Sequence, residues 1–201
     1  LLAQLADVRR SRLGDLAGAR QAITDAVAID PAHAPSWTML AEFRRAARDW
    51  PGLVAADHRL IELTSDPVLL KALHFELGVI FEEQLFDPTS AVAEFRQVLA
   101  VDPFDLGALT RLSRLLLEHE DWAAAARVTE QLAQRDEDRS RLKEYHLRLA
   151  HIFAVGFGDT SRAVGACRRA LALDPGDLPA TVALTELLLE AGDDAGLQAH
   201  L

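Results

Sequence analysis

The stretch Phe86–Pro103, FDPTSAVAEFRQVLAVDP, returns at Phe157–Pro175 as FGDTSRAVGACRRALALDP. Shifting Asp87, Ala91, Arg96, Asp102 and Pro103 forward by 72 residues gives Asp159, Ala163, Arg168, Asp174 and Pro175, and shifting back finds Asp15, Ala19 and Pro31. A fixed period of this kind signals a stacked array, because one unit cannot bury its apolar face alone and must lean on its neighbours. Six aspartates mark the array at 15, 49, 87, 121, 159 and 193, so the separations alternate 34, 38, 34, 38 and 34. Each precedes an apolar pattern of helical period. Asp in that place accepts a hydrogen bond from the free amides of the first helical turn and faces the positive end of the helix dipole. The six are therefore expected to be N-caps of second helices, each preceded by a first helix.

Composition narrows the function classes. The chain has 201 residues, is 50% apolar and carries a net charge of −10. That acidity leaves no basic field for a phosphate backbone, which argues against nucleic acid as a partner. No apolar run is long enough to span a bilayer, so direct membrane insertion is not expected. The single cysteine forms no internal disulfide and leaves the compartment open, with the cytoplasm favoured. Two lysines, Lys71 and Lys143, stand against many arginines and alanines, a bias common in GC-rich bacterial genomes.

The helix pairs resemble the tetratricopeptide repeat, whose first helix (A) carries W-x2-L-G-x2-Y and whose second (B) carries A-x3-F and a closing proline. Trp37, Leu40 and Ala41 match the A pattern, as do Leu77, Gly78 and Phe81 with His74 in the tryptophan position. On B helices the matches are Ala19, Ile23, Ala26 and Pro31; Ala91, Phe95, Val98 and Pro103; Ala163, Cys167, Ala170 and Pro175. Gly78 and Ala91 read as a close-packed pair. The departures are Leu53 and Leu197 at the small-residue position, and repeats 4 and 6 lack a clear aromatic on helix A. The resemblance implies an all-α fold, a right-handed superhelical solenoid of antiparallel helix pairs. About six repeats would span residues 1–201 as one solenoid, with helices 1A and 6B cut in mid-pattern, as in a fragment of a longer repeat protein.

No catalytic constellation emerges, and neither an enzyme activity nor a cofactor is expected. His146 and His151 are five apart, about 140° around a helix, so they are not paired metal ligands. Cys167 stands where sister repeats have Phe95 and Ile23 and reads as a buried, inert thiol. Trp50 and Trp122 read as packing residues, and Asp136-Glu137-Asp138 as a solvated loop.

The resemblance further implies a concave face lined by helix A, two residues before, two after and five after the consensus leucine. Those positions hold Thr38, Glu42 and Arg45; Phe75, Val79 and Glu82; Thr110, Arg114 and Leu117; Leu147, His151 and Ala154; Val182 and Glu186. Such a groove would take an extended or helical peptide of a protein partner, apolar anchors giving affinity and charges giving register. The lysine–asparagine clamp that some members use on chaperone tails is missing, since Gln4, Val8 and Thr38 stand in its place. Phe75, Val79, Leu117 and Leu147 are expected to be exposed. Two rival roles are a structural spacer or rod, self-associating through open solenoid ends, and the substrate-selecting region of a larger enzyme.

The 34/38 alternation makes one further demand. The longer units carry three extra residues before helix A and one more between its leucine and the cap, together about one helical turn. Helices 3A and 5A, about Val68 to Leu85 and Arg139 to Gly156, should therefore be longer than 2A, 4A and 6A. Lys71 and Lys143 would lie in register on the projecting edge, either adjusting pitch or forming a second, toothed contact surface.

Overall fold

The computed structural model describes residues 1–200, with the side chains of all but Arg10, Ala199 and His200. Helix follows helix throughout: α1 (Leu2–Val8) with a π-helical turn (Arg9–Leu13), α2 (Leu16–Ile29), α3 (Ala34–Ala46), α4 (Trp50–Leu63), α5 (Pro67–Glu83) and α6 (Pro88–Val101). These make one compact unit, Leu1–Pro103. A second unit, from Phe104 on, holds α7 (Leu106–Glu118), α8 (Trp122–Arg135), α9 (Arg139–His151) with a π-helical turn (Ile152–Gly156), α10 (Thr160–Leu173), α11 (Leu178–Ala191) and α12 (Asp194–His200). In each unit the dominant packing joins consecutive helices as A/B pairs, and each pair leans on the next. The expectation that helix 6B runs past Leu201 falls outside the described residues.

The six marker aspartates all cap. Their carboxylates accept from the amides of Gly18, Gly52, Ser90, Ala124, Arg162 and Gly196 at 2.8–3.2 Å. Immediately before each cap stands a residue in the left-handed region: Gly14, Arg48, Phe86, Glu120, Gly158 and Gly192, with φ between 52° and 65°. Every A–B turn is thus closed by the same two-residue device. A left-handed residue reverses the chain, and an aspartate then opens the next helix. Four A helices are capped as well, by Asp66, Asp105, Asp138 and Asp177. Asp138 is therefore no mere loop residue. Its neighbour Asp136 is buried, its carboxylate accepting from the Tyr145 hydroxyl and Arg141 at 2.9 Å each.

The extra residues of the long units go to two places. Helix α5 begins ten residues before Leu77 and α9 ten before Leu149, whereas α3, α7 and α11 begin six before Leu40, Leu112 and Leu184. One extra turn is thus added at the start of each long A helix. At its other end the remaining residue widens the last turn: the amides of Asp15, Asp87 and Asp159 bond back six residues, to Arg9, Phe81 and Phe153, while those of Asp49, Asp121 and Asp193 bond back five. As expected, α5 has 17 residues and α9 with its π turn spans Arg139–Gly156, against 13 or 14 for α3, α7 and α11.

Lys71 and Lys143 come directly after the added turns, residues 67–70 and 139–142, and they are not free teeth. Lys71 pairs with Asp102 at 2.9 Å, and Lys143 with Asp174 at 2.9 Å and Asp177 at 2.5 Å. Each ties its A helix to the aspartate that ends the B helix of the same repeat, and Lys143 also reaches the cap of α11. Arg139 adds a bond to the Leu173 carbonyl at 2.6 Å, where a cation suits the negative end of a helix.

The cores follow the repeat pattern. In the first unit Ala22, Ile23, Val27 and Leu40 form one cluster, and Ala41, Leu53, Leu60, Leu73 and Ile80 another. Gly78 is required by Phe95: a Cβ there would lie 2.6 Å from the Phe95 ring. In the second unit Cys167 is fully buried, as expected, and burial pushes its thiol pKa up. Trp122 is half-buried and packs edge-on to His151 at 6.0 Å, its ring also against Gly156.

Candidate functional site

The residues expected on the working face sit on α3, α5, α7, α9 and α11, with Ala154 on the π-helical turn after α9, and they behave differently in the two units. In the first, Thr38, Glu42 and Arg45 are exposed on α3. Arg45 reaches α5 and holds Glu76 through two hydrogen bonds of 2.7 and 2.8 Å. Glu42 lines a cleft of about 430 Å³ with Leu16, Ala17, Arg20, Phe43, Ala46 and Ala47. Phe75, Val79 and Glu82 are half-buried on α5, and Phe75 packs edge-on to Phe95 with ring centroids 5.7 Å apart. The expectation that Phe75 and Val79 are exposed is therefore corrected: both are half-buried, and the ring contact with Phe95 draws Phe75 into the α5/α6 packing.

In the second unit, Thr110 and Arg114 are exposed on α7, and Leu117 is half-buried rather than exposed. Arg114 pairs with Glu118 one turn on at 2.6 Å. Leu147 is likewise half-buried, because it forms part of a cleft of about 330 Å³ between α9 and α11. Leu147, His151, Ala154 and Glu186 line it together, four of the residues that register with the repeat singled out. Ala150, Val155, Ala183, Leu187 and Glu190 complete the lining. Val155 and Glu190 fall beyond the three positions per helix drawn from the resemblance. Glu190 was nevertheless legible, lying 72 residues after Glu118. Val182 is exposed on α11 outside this cleft.

Two buried carboxylates show opposite solutions to the same problem. Asp136 is 6% exposed. Burial alone would push its pKa up, but the Asp138 amide, the Tyr145 hydroxyl and Arg141 together hold it below the usual carboxylate range. Asp57, on α4, is fully buried and neither oxygen has a hydrogen-bond partner. It stands at the B-helix position that holds Ile23, Phe95, Thr129 and Cys167 in sister repeats. Burial and, after it, the nearby Glu76 carboxylate raise its pKa to about 7, against the opposing pull of Arg45. In the second unit Thr129 is neutral and satisfied there, bonded to Ser113 at 2.7 Å and to the Ala125 carbonyl at 2.7 Å. Arg148 donates to Ser113 from α9 at 3.0 Å. Among the described residues no group of three or more His, Cys, Asp or Glu side chains is placed to hold a metal ion.

No family model matches the sequence. No curated protein does either. Solved structures do share its architecture. A crystal structure of MamA aligns with TM-score 0.56 at 15% identity, over 87% of this chain and 90% of that one. YrrB, described as a TPR protein with an unusual peptide-binding site, aligns with TM-score 0.56 at 13% identity over 96% and 90%. A tetratricopeptide repeat protein from Parabacteroides merdae aligns with TM-score 0.54 at 16% identity over 99% and 75%. At such identities the likeness speaks for the fold alone: this chain has the all-α fold of antiparallel helix pairs found in tetratricopeptide repeat solenoids.

Proposed function

We propose that this chain is a noncatalytic protein-interaction scaffold whose A helices bind a peptide or helix of a partner protein. The observation that carries this reading is the α9/α11 cleft, where Leu147, His151, Ala154 and Glu186 meet at the positions that repeat register assigns to a binding face. A cleft of this size with an apolar floor suits an inserted side chain. YrrB, which shares the fold, is described as having a peptide-binding site. With a charge of −10, a protein partner is favoured over nucleic acid. The reading includes one continuous array through residues 1–201, supported by the Asp87 to Asp121 spacing of 34, equal to that of Asp15 to Asp49.

Selection from a displayed peptide library, followed by amide chemical-shift mapping with a selected peptide, tests the proposal. Shifts should concentrate on the A helices, and Leu147→Glu should abolish binding while helical circular dichroism is retained. Undiminished binding by that variant, or shifts confined to the B helices, would rule this face out.

A further inference from the structure

Helix α11 differs from α7, one 72-residue step earlier, in a way that points to the charge of the α9/α11 cleft's occupant. On α7, Arg114 and Glu118 neutralise each other across one turn at 2.6 Å. The equivalent residues on α11 are Glu186 and Glu190. Replacing the arginine with a glutamate leaves two like charges one turn apart, an arrangement that disfavours the helix. Both carboxylates are exposed on the cleft wall. Among the described residues no cation pairs with either, whereas Glu76 is paired with Arg45, and Glu130 with Arg162. Among the described residues His151 is the only other titratable group lining the cleft, and its ring packs against Trp122. Between the two walls the floor is apolar, built from Leu147, Ala150, Ala154, Ala183 and Leu187.

Resting on the scaffold reading above, we propose that the α9/α11 cleft selects a cationic amphipathic segment of a partner protein, with an apolar side chain in the cleft and a lysine or arginine one turn away on Glu186 and Glu190. An apolar anchor gains by leaving water at Leu147 and Leu187, and the neighbouring cation relieves the repulsion between the two carboxylates. An acidic segment would meet that repulsion instead. The specificity therefore comes from both an attraction and a rejection.

The test uses fluorescence anisotropy with three labelled 16-residue helical probe peptides of identical leucine pattern. Their flanking positions carry arginine, glutamine or glutamate. The arginine peptide should bind at least tenfold more tightly than the glutamate peptide at low salt, and the gap should shrink as salt rises. Glu186→Gln with Glu190→Gln should remove the preference. Glu186→Arg, which recreates the α7 pair, should remove it too without loss of helicity. Leu147→Glu should abolish binding of every probe. If all three peptides bind alike and Leu147→Glu still abolishes binding, the charge selection is overturned while the cleft remains a binding site. If Leu147→Glu leaves binding intact, or no probe binds, both the selection and the assignment of this cleft fall.

Discussion

Asp57 offers the sharpest stability test, because a fully buried carboxyl without a hydrogen-bond partner should make the first unit sensitive to pH across the neutral range. In the unfolded chain it ionises near the usual 3.8, and in the fold near 7. At ~1.4 kcal/mol per tenfold change in proton affinity, that difference is worth about 4 kcal/mol. The sign follows from the direction. Well below pH 4 both states are protonated and the fold carries no penalty from this group. Between about pH 4 and 7 the unfolded chain releases the proton while the fold keeps it, so stability falls as pH rises. Above 7 the penalty is complete and the profile flattens. Asp57→Asn keeps the shape but cannot titrate, so subtracting its profile from that of the wild type isolates this one group. Asp57→Leu should place an apolar side chain where Ile23 and Phe95 stand in sister repeats. It should be more stable than the wild type by about 3 kcal/mol at pH 8, with a smaller gain at pH 4.5. Urea denaturation followed at 222 nm at pH 4.5, 6, 7 and 8 measures all three. Parallel wild-type and Asp57→Asn profiles would refute the reasoning, as would a gain for Asp57→Leu that does not depend on pH.

Two further outcomes follow from the A–B turns and the buried carboxylate of the second unit. Arg48 and Glu120 hold left-handed φ values where three sister turns use glycine. Arg48→Gly and Glu120→Gly should each raise stability by about 0.5 kcal/mol, relieved strain slightly exceeding the added freedom of the unfolded chain; Gly158→Ala should lower it by about 1 kcal/mol, and thermal melts would show the opposite shifts. Tyr145→Phe removes a donor from buried Asp136 and should cost about 1–3 kcal/mol at pH 7. Because that carboxyl is held below its usual range, its stabilising effect should fade as pH falls through the acid range in a wild-type titration, and fade less in the variant.

Much of the fold was legible because its signals are local. A capping aspartate bonds an amide three residues on, so Asp15 through Asp193 could be read without knowing what packs on them. Counting residues was enough to lengthen α5 and α9. What escaped depends on partners distant in sequence. The clamp from Lys71 to Asp102 crosses 31 residues, and the burial of Asp136 depends on Tyr145 and Arg141 folding back over it. Phe75 looked like a groove anchor because its position along α5 is correct, yet the Phe95 ring on α6 decides where it rests. The α9/α11 cleft was legible in part. Repeat register supplied Leu147, His151, Ala154 and Glu186, whereas Val155, beside Ala154 in the π-helical turn, falls outside the three positions that register assigns to each helix.

The six-back closure at Asp15, Asp87 and Asp159, beside the five-back closure at Asp49, Asp121 and Asp193, also bears on how such a chain tolerates change in length. A single inserted residue in a helix would ordinarily rotate everything after it by about 100°. Here the surplus residue is taken up as a bulge in the last turn of helix A, and the reversal and the cap beyond it keep their geometry. The turn works as an expansion joint. A gain or loss of one codon just upstream of a cap would then convert a short repeat into a long-closing one, or the reverse, without scrambling the helix that follows.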